Sequence, residues 1–329
     1  MRARPAPSDS GEPQPLPPPL SRPVPLRQLA VRLVPYVPAL IPLGLTAAII
    51  LVLLEASHLE NFGWAFFGFN FAQNGILIFV VGSFLTATPA LAFAMLVGLG
   101  IAIASTSYLP RLLSAWLDPF VDLLAGIPSI VYGIWGYFII GPYIGRWVYP
   151  WMVLRFGSIP GFGRTIYSPA PTGDGLLLAI AILTIMILPI TTLLMRDAFR
   201  SVPRELWESG LALGATRWEV TRRVAIPYAK RGIWGAVFLG FGRAIGETVA
   251  VAMVIDQASQ LPPNVYGGTS TMASLIISTI DSAFLTNATG HLYLRFLTEL
   301  ALVLLAITLA VNIAGRWVIR RTFTEVAGL

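Results

Sequence analysis

Six stretches of this chain run long and apolar with few charges: Pro38–Leu54, Gly75–Ala104, Phe120–Gly141, Gly175–Met195, Gly232–Ile255 and Leu297–Val318. Each is long enough to cross about 30 Å of hydrocarbon as a helix. Lipid offers no water to backbone N–H and C=O groups, so a segment inside it must satisfy its own hydrogen bonds, and a helix does. The second stretch exceeds the need, so tilting or projection beyond the bilayer is expected. A shorter stretch, Met272–Phe284, contains Ser274, Ser278, Thr279 and Asp281, and reads as an interfacial or re-entrant helix.

Composition agrees with this reading. Of 329 residues 56% are hydrophobic and only 12% charged, against roughly 25% charged in a soluble domain. A polar shell for so much apolar surface is missing. A cytosolic enzyme, a secreted disulfide scaffold and a disordered chain are thereby set aside. With no cysteine, disulfides, thiolate metal sites and cysteine nucleophiles are impossible. The two histidines, His58 and His291, are far apart and too few for most histidine-based sites. The one lysine, Lys230, follows Ala229, so there is no Gly-Lys pair and no Walker A loop to hydrolyse ATP. No enzymatic role is expected of the chain.

Arginine placement sets the expected orientation. With both termini in the cytoplasm, the inner pieces (1–37, 105–119, 196–231 and 316–329) hold 17 Lys or Arg, the outer loops hold four, and Arg243 lies within a stretch. The basic charge is thus better explained by topology than by nucleic acid. Residues 1–35 are proline-rich and read as a disordered cytoplasmic tail. Residues 36–321 form the expected six-span unit, and 322–329 a cytoplasmic C-terminal tail. Trp147, Tyr149 and Trp151, in the outer loop Pro142–Asp174, suit an interfacial aromatic belt.

The loop 201–227 has its own punctuation. Ser201 is placed to cap a helix with Pro203 in its first turn. Gly214 suits a left-handed terminator. Thr216 with Glu219 three residues on makes a capping box for a second helix, and Pro227 is expected to end it. The product is two short helices meeting at a glycine turn.

That loop resembles the EAA loop of ABC importer permeases. Glu208-Ser209-Gly210, three residues, Gly214, nine residues, then Val224-Ala225-Ile226-Pro227 keeps the family spacing of Glu-Ala-Ala, three, Gly, nine, Ile-x-Leu-Pro. The departures are small or isosteric. By this resemblance Glu208 and Gly214 belong to a surface that docks onto a separate ATPase subunit. A helix–turn–helix DNA reader has a similar outline, but a loop pinned between two membrane spans does not suit one.

In the fifth stretch Arg243 and Glu247 stand four apart, on one face of a continuous helix. Gly242 and Gly246 form a small-xxx-small pair that admits a neighbouring helix. An arginine in a span costs ~2.5–3.5 kcal/mol on insertion scales, so it should face protein or a wet path. Its planar, permanently charged fork matches an oxyanion, and the carboxylate can hold the fork and keep anion binding weak enough for transit. A structural ion pair at a helix interface is the other reading. Pro128, beside Gly126 and Ser129, should kink the third stretch and open backbone toward a cavity, which makes Pro128 and Ser129 possible pathway lining. Asp118 and Asp122 are expected to cap, or to pair with cytoplasmic arginines. Asp256 and Glu299 are expected to be solvated at the outer boundary.

Asp122-Leu-Leu-Ala-Gly-Ile-Pro-Ser-Ile-Val-Tyr-Gly-Ile-Trp-Gly and Gly242-Arg-Ala-Ile-Gly-Glu-Thr resemble the permeases of the phosphate-specific importer, with wording closer to the C-type (PstC-like) subunit. The resemblance implies an all-α, six-span membrane permease with Arg243 and Glu247 on the substrate path. It also implies the following partners: a second, A-type permease subunit, an ATPase dimer that binds the ATP and Mg, an extracytoplasmic phosphate-binding protein, and phosphate itself. The chain would need no cofactor or metal of its own and would lie in a bacterial inner membrane. Another oxyanion (sulfate or molybdate) and a stand-alone secondary transporter or channel remain as alternatives.

Overall fold

The computed structural model describes residues 36–56, 75–157, 172–262, 264–285 and 290–324. The proline-rich tail, His58 and the end of the C-terminal tail lie outside the described residues, as does the side chain of His291. Every regular element among the described residues is helical. The chain divides into two compact units, Met1–Leu51 and Val52–Leu329. The described part of the first unit is most of helix α1 (Tyr36–Ala56), whose Leu40, Ile41, Leu45 and Ile49 all stand exposed. A helix with no polar face suits lipid.

The second unit holds ten helices among its described residues. They are α2 (Ile76–Ile103), α3 (Arg111–Ala125), α4 (Ser129–Phe156), α5 (Leu176–Arg200), α6 (Arg204–Ala212), α7 (Arg217–Val220), α8 (Ile226–Ile245), α9 (Val249–Val254), α10 (Met272–Leu285) and α11 (Gly290–Thr324). Among the described residues three helices are long and apolar enough to cross a membrane: α2 with its extension to Tyr108, α5, and α11 from Phe296 to Arg320. The bent pair α3–α4 makes a fourth if taken as one span.

At the centre α2 packs along α5, and α8 packs on both. The faces that meet are small. Gly82, Ala87, Ala90, Ala94, Gly98 and Ala102 are the buried stripe of α2. A Cβ on Gly98 would stand 2.8 Å from Thr192 Oγ1 of α5. In lipid, helices gain little from hiding apolar surface, so close backbone approach carries their association. Thr191 and Thr192 return their hydroxyls to carbonyls of their own helix at 2.7–3.1 Å, so neither is an orphan donor in the buried interface.

The start of α5 shows how a helix end is satisfied without a side-chain cap. Its first amides find loop carbonyls: Gly175 N–H donates to Val254 O (2.9 Å), Leu176 to Gly267 O (3.1 Å) and Leu177 to Val265 O (3.1 Å). Gly175 sits at φ +142°, and a Cβ there would lie 2.3 Å from Tyr266 O, so glycine alone fits.

Two expected spans are interrupted. The third, Phe120–Gly141, breaks at Gly126–Pro128 and turns through 93° between α3 and α4. Pro128 has no N–H to continue α3, and it caps α4 instead. The freed end of α3 is met by Tyr132, whose hydroxyl donates to Leu124 O at 2.8 Å. The fifth, Gly232–Ile255, breaks at Gly246–Thr248, between α8 and α9. Helix α10 has 14 residues, about 21 Å by helical rise, too short for a span. Its buried start is capped by Thr271 Oγ1, which accepts from Ser274 N–H (3.1 Å), and by Ser83 Oγ of α2, which accepts from Met272 N–H (2.9 Å).

Four smaller expectations resolve in the same unit. Trp147 and Trp151 are exposed, as an aromatic belt requires, but Tyr149 is buried and its hydroxyl donates to Gly173 O at 2.9 Å. Asp256 is exposed. Glu299 is instead buried, at 9% exposure. Asp118 and Asp122 do pair with arginines, those at the end of α5.

Candidate functional site

Two places gather the sequence-derived residues. The first is the loop between α5 and α8. Ser201 is not the cap of α6: its hydroxyl donates back to Ala198 O (2.7 Å) and so closes α5, while Pro203 occupies the cap position of α6. Gly214, at φ +83°, ends the turn after α6 in the left-handed conformation expected of it. Thr216 then opens α7 with a complete capping box. Glu219 N–H donates to Thr216 Oγ1 (3.3 Å), and Thr216 N–H donates to Glu219 Oε2 (2.8 Å). These bonds hold the Glu219 carboxyl below its ordinary range, and Arg223 adds to the effect.

Glycine at position 210 has a steric reason. A Cβ there would come within 2.8 Å of Val220 Cγ2, so α6 and α7 cross at this point. Glu208 stands exposed on α6, near Leu211 and Leu213, of which Leu213 is 88% exposed. The loop thus offers a carboxylate beside uncovered apolar side chains. Its underside is anchored in a small core of Met195, Phe199, Val202, Ala225 and Ala229, with Trp207 packed on it.

Pro227 does not end the second helix. Residues 221–225 form one wide π turn, and the chain continues directly into α8 with Pro227 in its first turn. The wider turn lets the helix carry a proline, which lacks an N–H and crowds the carbonyl four residues back. Helix α7 therefore runs without a break into α8, whose last turn carries Arg243.

The second place is the far end of α8. Arg243 lies in its last turn and Glu247 in the break that follows. Both face a cavity of about 390 Å³ lined also by Ile190, Leu239, Gly242, Gly246 and Asn312. The two side chains are not ion-paired with each other, so the carboxylate does not hold the guanidinium fork. The expected single helical face fails because α8 stops at Ile245, where only long bonds close the turn: Gly246 N–H to Gly242 O at 3.3 Å and Glu247 N–H to Ala244 O at 3.4 Å. Arg243 is exposed and Glu247 half-buried. An unpaired guanidinium on a cavity wall is free to receive an anion.

Asn312 is the residue that sequence reasoning missed. It is the one amide side chain in the stretch Leu297–Val318. Its Nδ2 donates to Thr308 O at 2.9 Å, which fixes the side chain against Gly242, where a Cβ would be 3.7 Å from Nδ2. The one amide within the apolar run of that stretch was the available signal. Pro128, exposed, and Ser129, half-buried, shape the α3–α4 bend but are not among the residues lining the Arg243 cavity. Among the described residues, no group of three or more His, Cys, Asp or Glu is placed to hold a metal ion.

Comparison with known proteins places this geometry. Residues 94–324 match the family of binding-protein-dependent transport system inner membrane components. The phosphate transport system permease protein PstC of Mesorhizobium japonicum is 39% identical over 290 residues, covering 84% of this chain and 87% of that one. PstC of Haemophilus influenzae is 36% identical, covering 86% and 90%. PstC 1 of Mycobacterium tuberculosis is 39% identical, covering 76% and 73%. Among solved structures, a bacterial alginate ABC transporter in complex with its alginate-bound periplasmic protein superposes with TM-score 0.57 at 13% identity, covering 90% of this chain and 95% of that one. The MetNI methionine ABC transporter, inward facing, gives 0.52 at 18% identity, covering 75% and 95%. These two likenesses are of fold.

Proposed function

This chain belongs to the binding-protein-dependent transport system inner membrane components, among the PstC phosphate permeases, and from that membership we propose that it is the membrane permease subunit of an ATP-driven importer of inorganic phosphate. The likeness to phosphate permeases across more than four fifths of the chain carries the reading. The chemistry is compatible with it. Arg243, unpaired on its cavity wall, offers a planar cationic fork to a tetrahedral oxyanion, and Glu247 beside it keeps that attraction weak enough for release. Asn312 adds an amide to the same wall.

In this reading the chain is a non-catalytic subunit with six spans and both termini cytoplasmic. It pairs with a second permease subunit and rests on an ATPase dimer that carries ATP and Mg. A phosphate-binding protein delivers cargo from outside. Glu208, Gly214 and the apolar tip of the loop seat in the ATPase. Closure of the ATPase dimer shifts the loop, and the unbroken run from α7 into α8 carries the shift to Arg243. Such coupling requires two global states that differ in affinity for both partners.

The test is uptake of labelled phosphate by cells with and without this subunit, in the presence of excess sulfate or molybdate. Uptake should fall on deletion and resist the competitors. Uptake unchanged by deletion overturns the cargo assignment, and competition by sulfate or molybdate moves it to another oxyanion.

A further inference from the structure

Helix α3 sits against α5 in an unusual manner. Its apolar residues Leu112, Trp116, Phe120 and Leu123 are each 61–77% exposed. Among its described side chains only Val121 is buried. Apolar contact therefore gives α3 little hold on the rest of the unit. What it does present to α5 is Asp118, largely buried, and Asp122, one helical turn on and half exposed. They meet Arg196 and Arg200, one turn apart on α5. Arg196 Nη1 lies 2.9 Å from Asp118 Oδ1, Arg196 Nη2 donates to Asp122 Oδ1 at 3.1 Å, and Arg200 Nη2 pairs with Asp118 Oδ2. Arg196 is only 5% exposed. Two carboxylates and two guanidiniums make the group neutral, and its matched spacing fixes both the distance and the register of the two helices.

The position of this group in the chain gives it meaning. Arg200 is the last residue of α5, and α6 of the coupling loop starts at Arg204. On the other side, α3 ends at Ala125, three residues after Asp122, where the 93° bend begins. The four charges thus join the root of the loop to the root of the bend. Stability alone is a poor reason for them: a buried pair such as Arg196–Asp118 is often no better than apolar side chains of equal volume, because desolvation offsets the attraction, and the half-exposed partners Asp122 and Arg200 add little. A directional link between two moving helices is a better one.

We propose that Asp118, Asp122, Arg196 and Arg200 are positioning residues that form a strut, carrying the displacement of the coupling loop into α3 and hence into the bent pair α3–α4. The inference rests on the importer reading given above. When the loop shifts, the end of α5 takes α3 with it, and α4 swings about Gly126–Pro128. Without the strut the loop still docks and the ATPase still turns over, but α3, with one buried anchor, lags behind.

The experiment uses the complete importer in proteoliposomes: both permease subunits, the ATPase and the phosphate-binding protein. The quantity measured is ATP hydrolysed per phosphate transported. Asp122→Ala removes one arm at a side chain that is 54% exposed, so folding is spared. Asp118→Asn, whose assembly is checked by size-exclusion chromatography, weakens the other arm. The ratio should rise by about threefold or more in Asp122→Ala, while stimulation of the ATPase by loaded binding protein persists. An unchanged ratio in Asp122→Ala overturns the strut, whether transport and hydrolysis fall together or stay at wild-type levels. A wild-type complex that moves a different anion sinks the phosphate assignment instead, and the strut is then judged by the same ratio with that anion.

Discussion

Single side chains decide whether the cavity at the end of α8 is a path. Arg243→Gln keeps a planar polar head on a shorter stem and loses the charge, and phosphate uptake should be abolished while the protein still inserts and assembles; uptake at wild-type rate would make the charge merely architectural. Asn312→Leu keeps the volume and removes the amide from the same wall, so uptake should fall severalfold, measured at saturating phosphate. At the loop, Glu208→Lys should release the ATPase in co-purification without loss of membrane insertion. Asp174 offers a pH test. Its carboxyl is pushed up, first by burial and further by nearby Asp256, against an opposing bond from Thr172, and its Oδ1 has no partner. A carboxyl raised in the folded state favours folding when protonated, so its ionisation costs stability as pH rises from the ordinary aspartate value of ~3.9 toward the raised one. Asp174→Asn should therefore melt higher than wild type at pH 7 and gain little near pH 3.5. The roles of single residues were unevenly legible in the sequence. Thr216–Glu219 and Gly214 could be read directly, because caps and left-handed turns depend on neighbours within four residues. Glu299 could not, since its burial is imposed by residues distant in sequence.

At the scale of elements, the apolar runs revealed where helices lie but not where they bend. Pro128 marked one break correctly, as a proline that starts a helix must. Pro227 marked an expected end that does not occur, because the wide turn at 221–225 lets the helix pass through it. The break at Gly246–Thr248 had only a glycine as its signal, and glycine is common in membrane helices. The fit of α8 against α5 is steric and open to test. A Cβ on Gly232 would lie 2.2 Å from Ala198 Cβ, at the point where α5 gives way to the loop. Gly232→Val should force the two apart and cost roughly 1–3 kcal/mol, as overpacking does. A lowered melting temperature in detergent, with reduced ATPase co-purification, is the expected result; unaltered melting would mean that α8 is not seated as tightly as its backbone implies.

The whole molecule explains why so little of the apolar sequence is buried. Leu40, Leu96, Trp116, Phe138 and Trp317 are all more than half exposed, and they lie on different helices. Arginine distribution and hydropathy made a multi-pass membrane protein evident from sequence. The interruption of two spans was invisible to both, since neither measures direction. A permease subunit that lacks an engine should also be inert alone: purified chain in vesicles, without the ATPase, should show no phosphate flux above empty vesicles, and measurable flux would favour a self-contained carrier. The wide turn at Thr221–Ala225 has one more consequence. An added residue in a helix rotates everything beyond it by about 100° and advances it by about 1.5 Å. The azimuth at which Arg243 meets its cavity is therefore set some twenty residues away, by a surplus peptide unit beside the loop 201–227. Removing one residue there would leave every side chain of the cavity in the sequence and aim the guanidinium at the wrong neighbour.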